Sequence, residues 1–243
     1  MSADALPPGE RPDLDSLMAD LFGLNIRGAK TIGHLFMRPK DVFDSARVYD
    51  WRSQYTPTLR LAFSILTVFS LLSFFWTSED GILYQTLYNQ FSEIYANDPN
   101  AGDVGEMIDA MFAGYNIFFP FIYMLVHGLV GSIVFLWGKG TPWVARIRLY
   151  FGIASVGIAI SVTSLMIMPF IDSSLFWLYS IVGMSIGFLA YMLTYARGMR
   201  GYYPIASLIG RSFFLAIIVT LTDFLVALIA GTSASLWAES SFA

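Results

Sequence analysis

The chain contains no cysteine and only two histidines. Disulfides, thiolate zinc sites, iron–sulfur ligation and cysteine nucleophiles are thereby excluded. Charge is scarce too: 13% of the 243 residues are charged, against roughly 25% in soluble globular chains. A net charge of −4 provides no general attraction to nucleic acid. There is no His-x-x-x-His pair, and Gly138-Lys139-Gly140 lacks the upstream glycine and the Ser/Thr of a phosphate loop. These gaps predict a non-enzymatic chain without cofactor, metal centre or nucleic-acid partner. What is abundant is apolar surface: 56% of residues are hydrophobic, 16% aromatic, and the mean hydropathy is +0.61. A soluble chain of this length cannot hide that much, so the reading is an all-α, polytopic membrane protein.

Five apolar stretches give the spans, at about 61–76, 117–137, 149–170, 175–196 and 212–231. At helical rise about 20 residues cross the roughly 30 Å hydrocarbon core, so the first is short for the task. Residues 1–16 are polar and proline-bearing, without the apolar run of a signal peptide. Residues 1–58 then read as an amphipathic cytoplasmic arm, 59–232 as the transmembrane domain and 233–243 as a short outer tail. All 14 Lys and Arg residues fall before the first span, in the second-to-third loop (Lys139, Arg146, Arg148) or in the fourth-to-fifth loop (Arg197, Arg200, Arg211). That bias predicts a cytoplasmic N-terminus and an outer C-terminus.

Within the arm, Asp13 is placed to cap a helix whose apolar face is Leu14, Leu17, Met18, Leu21 and Phe22, ended by Gly23. A second run puts Ala29, Ile32, Leu35 and Phe36 on one face and stops before Pro39, which starts a third helix through Phe43 and Ala46. Such helices suit a membrane interface, the cytoplasmic side of the bundle or a partner protein. The first outer loop carries seven acids and no base. Its Asp98–Pro99–Asn100 and Asp103 to Glu106 stretches lack the ligand spacing of a calcium loop. An outer interfacial helix through Ile82, Leu83, Leu87, Tyr88, Phe91, Ile94 and Tyr95, then a break at Asn97–Gly105 and a shorter helix around Met107 to Phe112, accounts for it better.

Inside the apolar stretches two ionisable residues remain, His127 and Asp223. Both lie about 15–17 Å from the cytoplasmic end at helical rise, so they are expected to pair at one depth. A carboxylate at the bilayer centre costs about 2.5–3.5 kcal/mol on insertion scales and needs a partner; Tyr123, Thr220 and Thr222 are neutral candidates. Structural polar contact and proton or ion coupling both remain open for the pair. Gly183 and Gly187, spaced as small-xxx-small, and Gly152 and Gly157 on span three suggest close helix packing, within one chain or between copies in a homo-oligomer.

Arg38-Pro39-Lys40-Asp41-Val42-Phe43 before span one, His127-Gly128 followed by Trp137-Gly138-Lys139-Gly140, and the basic-aromatic entry to span three with Tyr150 together resemble the Yip family, Rab-interacting five-span membrane proteins with bacterial relatives. Leu21 to Asn25 is similar to a cytoplasmic element of its eukaryotic members. The resemblance singles out Pro39, Phe43, Gly138, Gly140 and Tyr150. It implies a five-span bundle in a bacterial inner membrane that binds or organises lipids and other membrane proteins. The family's early proline in span three and its Asp-Leu-Tyr-Gly-Pro type motif are absent, and the first outer loop is longer than the family's usual turn. The competing expectation is a small transporter or channel subunit that uses His127 and Asp223.

Overall fold

The computed structural model describes residues 26–48, 51, 54–73, 77–96 and 102–242. The helix expected from Asp13 to Gly23, the Leu21–Asn25 stretch, the Asp98–Pro99–Asn100 stretch and the 74–76 end of the first apolar run lie outside them. The described residues fold entirely as helices and connecting turns, with no strand. In chain order the α-helices are α1 (Ile26–Met37), α2 (Pro39–Val48), α3 (Thr58–Leu71), α4 (Ile82–Tyr95), α5 (Val104–Ile133), α6 (Trp143–Ile167), α7 (Phe176–Gly198) and α8 (Ile205–Phe242).

Four helices, α5 to α8, are long and apolar enough to cross a membrane. The helix of the first apolar run is not: α3 has 14 residues, about 21 Å of rise. Its buried face (Leu61, Ala62, Ile65, Leu66, Phe69) packs mainly on α6. α6 is the central helix. Its neighbours are α3, α5 and α7 with α1 and α2 at one end, and it is buried all round from Leu149 to Ile158. The other long helices keep an apolar face outward. On α5, Phe121, Leu125, Leu129 and Ile133 form an exposed stripe one turn apart, the pattern of a helix whose outer face meets lipid.

Several element boundaries differ from the sequence reading for local reasons. α5 begins at Val104 rather than near 117, because Asp103 caps it: its carboxylate accepts from the Gly105 and Glu106 amides at 2.7 and 3.3 Å. The helix runs on through Pro120, whose missing N–H frees the Asn116 carbonyl. Ser70 of α3 donates to that carbonyl at 3.5 Å. α8 continues to Phe242, so the expected outer tail is helix over almost all its length. At 38 residues it is about 57 Å long and exceeds a bilayer core.

α1 and α2 dock on the ends of α6 and α7 that carry the basic residues. The register of α1 is one position from that expected. Gly28, Thr31 and Leu35 are buried, while Ala29 and Phe36 are exposed. Thr31 explains the rotation: its hydroxyl donates to the Arg27 carbonyl at 2.6 Å and accepts the Thr56 amide at 2.9 Å, which ties α1 to the approach to α3. α2 starts at Pro39 and buries Pro39, Val42, Phe43 and Ala46. Arg197 at the end of α7 donates to the Phe36 and Met37 carbonyls, two of the orphan acceptors at the C-terminus of α1.

Candidate binding site

A carboxylate in the middle of an apolar helix needs hydrogen-bond donors delivered by other helices. α8 presents Asp223, and three neighbours converge on it. Tyr191 of α7 donates to Oδ2 at 2.7 Å, and Tyr123 of α5 donates to Oδ1 at 3.5 Å. His127, one turn after Tyr123, places Nε2 3.2 Å from Oδ1. That is ion-pair distance without hydrogen-bond alignment, and neither imidazole nitrogen has a hydrogen-bond partner. The ring stacks on Tyr123 with centroids 3.9 Å apart and has Tyr150 of α6 on another side at 5.7 Å. His127 is completely buried, whereas the Asp223 side chain is 33% exposed.

Tyr191 depends on a glycine. A Cβ on Gly157 of α6 would stand 1.8 Å from the Tyr191 hydroxyl oxygen, so only glycine at that position lets the phenol past α6 to the carboxylate. Tyr150 depends on Gly131 in a similar way, with a Cβ there 3.1 Å from Tyr150. The two positions expected to form a close helix crossing behave differently. A Cβ on Gly183 would meet only Ser164 Oγ at 3.6 Å, and one on Gly187 nothing within 4 Å. Both glycines instead line a cavity of about 680 Å³ bounded by α5, α6, α7 and α8, with Leu83 and Leu87 of α4 across one end. Phe119, Tyr123, Phe188, Tyr191 and Phe224 contribute aromatic walls, and Asp223 is the one charged residue in the lining among the described residues. Gly152, also expected between spans three and four, faces elsewhere. A Cβ there would meet Phe43 at 3.3 Å and Thr58 at 3.5 Å, so its smallness serves the docking of α2 and α3.

The stretch Gly183-Met184-Ser185-Ile186-Gly187 spells a Gly-x-Ser-x-Gly pattern. The nucleophile elbow needs a tight strand-to-helix turn; here the stretch lies inside α7, and the exposed Ser185 hydroxyl donates to the Ile181 carbonyl at 2.8 Å. No group of three or more His, Asp or Glu side chains able to hold a metal occurs among the described residues.

Of the neutral partners expected for Asp223, Tyr123 is in place, Thr222 donates to the Ile218 carbonyl, and Thr220 lines the cavity. Tyr191, the nearest donor, was not anticipated. A signal for it exists: side chains lean toward the helix N-terminus, so a long phenol on α7 reaches back from its own level toward that of Asp223.

Of the residues carrying the family resemblance, His127 and Tyr150 belong to this site, whereas Pro39, Phe43, Gly138 and Gly140 lie at the opposite, basic end. Gly138 and Gly140 have φ of +113° and +79°, a left-handed turn that favours glycine. This turn frees carbonyls, and donors gather on them. Leu136 O accepts from Tyr195 at 2.5 Å, Tyr203 at 3.1 Å and Arg211 at 3.4 Å, while Trp137 O accepts from Arg47 at 3.0 Å. Phe43 packs edge-on against Trp137 with centroids 6.1 Å apart and occupies the space that a Gly198 side chain would take, with a Cβ there 2.5 Å from its ring. Nearby, Asp44 accepts from Tyr202 and from Lys40, at 2.7 and 2.8 Å. These hydrogen bonds hold both groups above their ordinary pKa values. His34 lies beside Tyr55, 2.9 Å from its hydroxyl.

No family model, curated protein or solved structure matches this chain.

Proposed function

We propose that the chain is a small-molecule-binding membrane protein of the carrier type, non-enzymatic, with the cavity as its site and Asp223 as the recognition group. The observation that carries this reading is a half-open carboxylate, braced by two phenols, inside a cavity of about 680 Å³. That size lies within the roughly 300–1,000 Å³ of ordinary ligand pockets, and the lining has their usual character, mostly apolar with few convergent polar groups. A purely structural polar contact would be expected to close over the carboxylate on every side, as it does over His127. In this proposal α3 is a fifth, shorter span. The N-terminus and the docked α1–α2 arm are cytoplasmic, the C-terminus is outside, and the setting is a bacterial inner membrane.

The test is to purify the full chain and its Gly187→Leu variant in mild detergent and compare the small molecules each retains by mass spectrometry. Gly187 lines the cavity, and a Cβ there meets nothing within 4 Å, so a leucine side chain starts into open space. A compound retained by the wild type and lost from the variant supports the reading. Identical retention profiles overturn it.

A second reading has its own support. Ile26, Met37 and Val48 stand exposed at the two ends of α1 and at the end of α2, where a Yip-like scaffold would meet a membrane protein or lipid. Such a scaffold tolerates Gly187→Leu and Asp223→Asn but loses partner binding when Ile26 and Met37 become Ser.

A further inference from the structure

We infer that the cavity takes a lipophilic organic cation, its apolar body among the aromatic walls and its charge against Asp223. This inference rests on the cavity being a binding site and adds the chemistry of the ligand.

Three observations point the same way. The first is placement. Asp223 and both phenols line the cavity, whereas His127 does not. The imidazole therefore lies behind the carboxylate, and what approaches through the cavity meets the carboxylate. The Asp223 side chain is 33% exposed and lines the cavity, so its cavity-facing side is available to an incoming charge.

The second is the charge of the surroundings. Residues 61–138, 149–196 and 212–243 contain no Lys or Arg. The segments that bring Thr77, Leu83 and Met111 to the cavity also carry Glu79, Asp80, Glu106 and Asp109. A cation arriving from that end meets only negative or neutral groups, which raises its local concentration; an anion is repelled by the same acids. Low-dielectric walls strengthen both effects.

The third is the wall chemistry. Phe119, Phe188 and Phe224 line the cavity together with Tyr123, Tyr191 and Asp223. Aromatic faces attract cations and also accommodate an apolar body. The two phenol hydroxyls are already committed to Asp223, so neither is free to donate to an anionic ligand.

The test uses three probes of similar shape and different charge on the full chain in phosphatidylcholine nanodiscs: tetraphenylphosphonium, neutral triphenylphosphine oxide and tetraphenylborate. Binding is read by equilibrium dialysis and by the rise in Tm that accompanies a ligand bound only to the folded state. The cation is expected to bind saturably and at least about tenfold more tightly than the neutral probe, a difference of about 1.4 kcal/mol. The anion should show no saturable binding. Asp223→Asn should erase the preference for the cation. The comparison of probes on the wild type tests charge selectivity even if that variant does not fold. Equal affinity for the cation and the neutral probe overturns the cationic ligand while leaving the cavity as a binding site. No saturable binding by any probe, or binding unchanged in Gly187→Leu, overturns both.

Discussion

The two ends of the helix bundle solve opposite problems. At the basic end the chain reverses between α5 and α6 through a turn that frees carbonyls, and these are matched by Tyr195 of α7, Tyr203 of the α7–α8 connection, Arg211 of α8 and Arg47 of α2. Phe43 and Trp137 fill the space beneath, both essentially inaccessible. At the acidic end Gly183, Gly187 and Gly231 line a space that no side chain fills among the described residues. Glycine thus serves two purposes in one bundle. Gly198 and Gly157 yield their volume to Phe43 and Tyr191, whereas Gly187 and Gly231 yield theirs to no protein atom within 4 Å of a Cβ. The basic end is sealed by complementarity, and the acidic end is held open by its absence.

The sharpest way to break this comparison is to show that the two ends do not face opposite sides of a membrane. A phosphatase fused after Ala243 should be active in the periplasm of a bacterial host, and one fused after Lys139 inactive, because every Lys and Arg falls before the first apolar run or in alternate loops. The opposite pattern would invert the proposed orientation.

Next in size is the contrast in packing. Phe43→Ala at the sealed end empties a fully buried site and should cost about 3–5 kcal/mol, the usual loss for a large aromatic core residue. Gly231→Leu at the open end should leave the unfolding midpoint of the purified protein nearly unchanged, since a Cβ there meets nothing within 4 Å. Equal losses from both substitutions would mean that the two ends are packed alike.

The smallest effect concerns pH at the basic end. The hydrogen bonds of Tyr202 and Lys40 to Asp44 raise both groups above 10.0 and 10.5, their ordinary values. A raised pKa stabilises the fold below the ordinary value, and the contribution is lost as pH rises through the folded one. Asp44→Asn should therefore lower Tm slightly at pH 8 and flatten its decline above pH 10. Lys40 and Asp44 are largely exposed, so the difference should be about 0.5 kcal/mol or less and shrink with salt. A decline of the same slope in both proteins would remove Asp44 from the alkaline transition.

The apolar helices were legible because their signal is local. Runs of Leu, Ile, Val and Phe are long enough to read one at a time, and counting helical rise places His127 and Asp223 at one depth. Their side chains meet at 3.2 Å. The helix ends were less legible. The start of α5 depends on Asp103 as a cap, its passage through Pro120 on a donor from α3, and the register of α1 on Thr31 reaching Thr56. Each is a contact between segments that composition treats separately.

The sequence by itself determined that this chain is helical, apolar and electrically lopsided, since hydropathy and the positions of 14 basic residues are properties of the string. It also determined that Asp223 needs partners, because an ionisable group in an apolar run carries a desolvation cost wherever the helices lie. Only the tertiary structure decided which partners those are and what they leave exposed. A spacing such as Gly183-x-x-x-Gly187 says that a helix face is narrow, but whether a neighbouring helix or a cavity takes up the room depends on where α6 and α8 lie. The same holds for Gly157. Its role becomes visible only when Tyr191, from another helix, occupies the place its side chain would have taken.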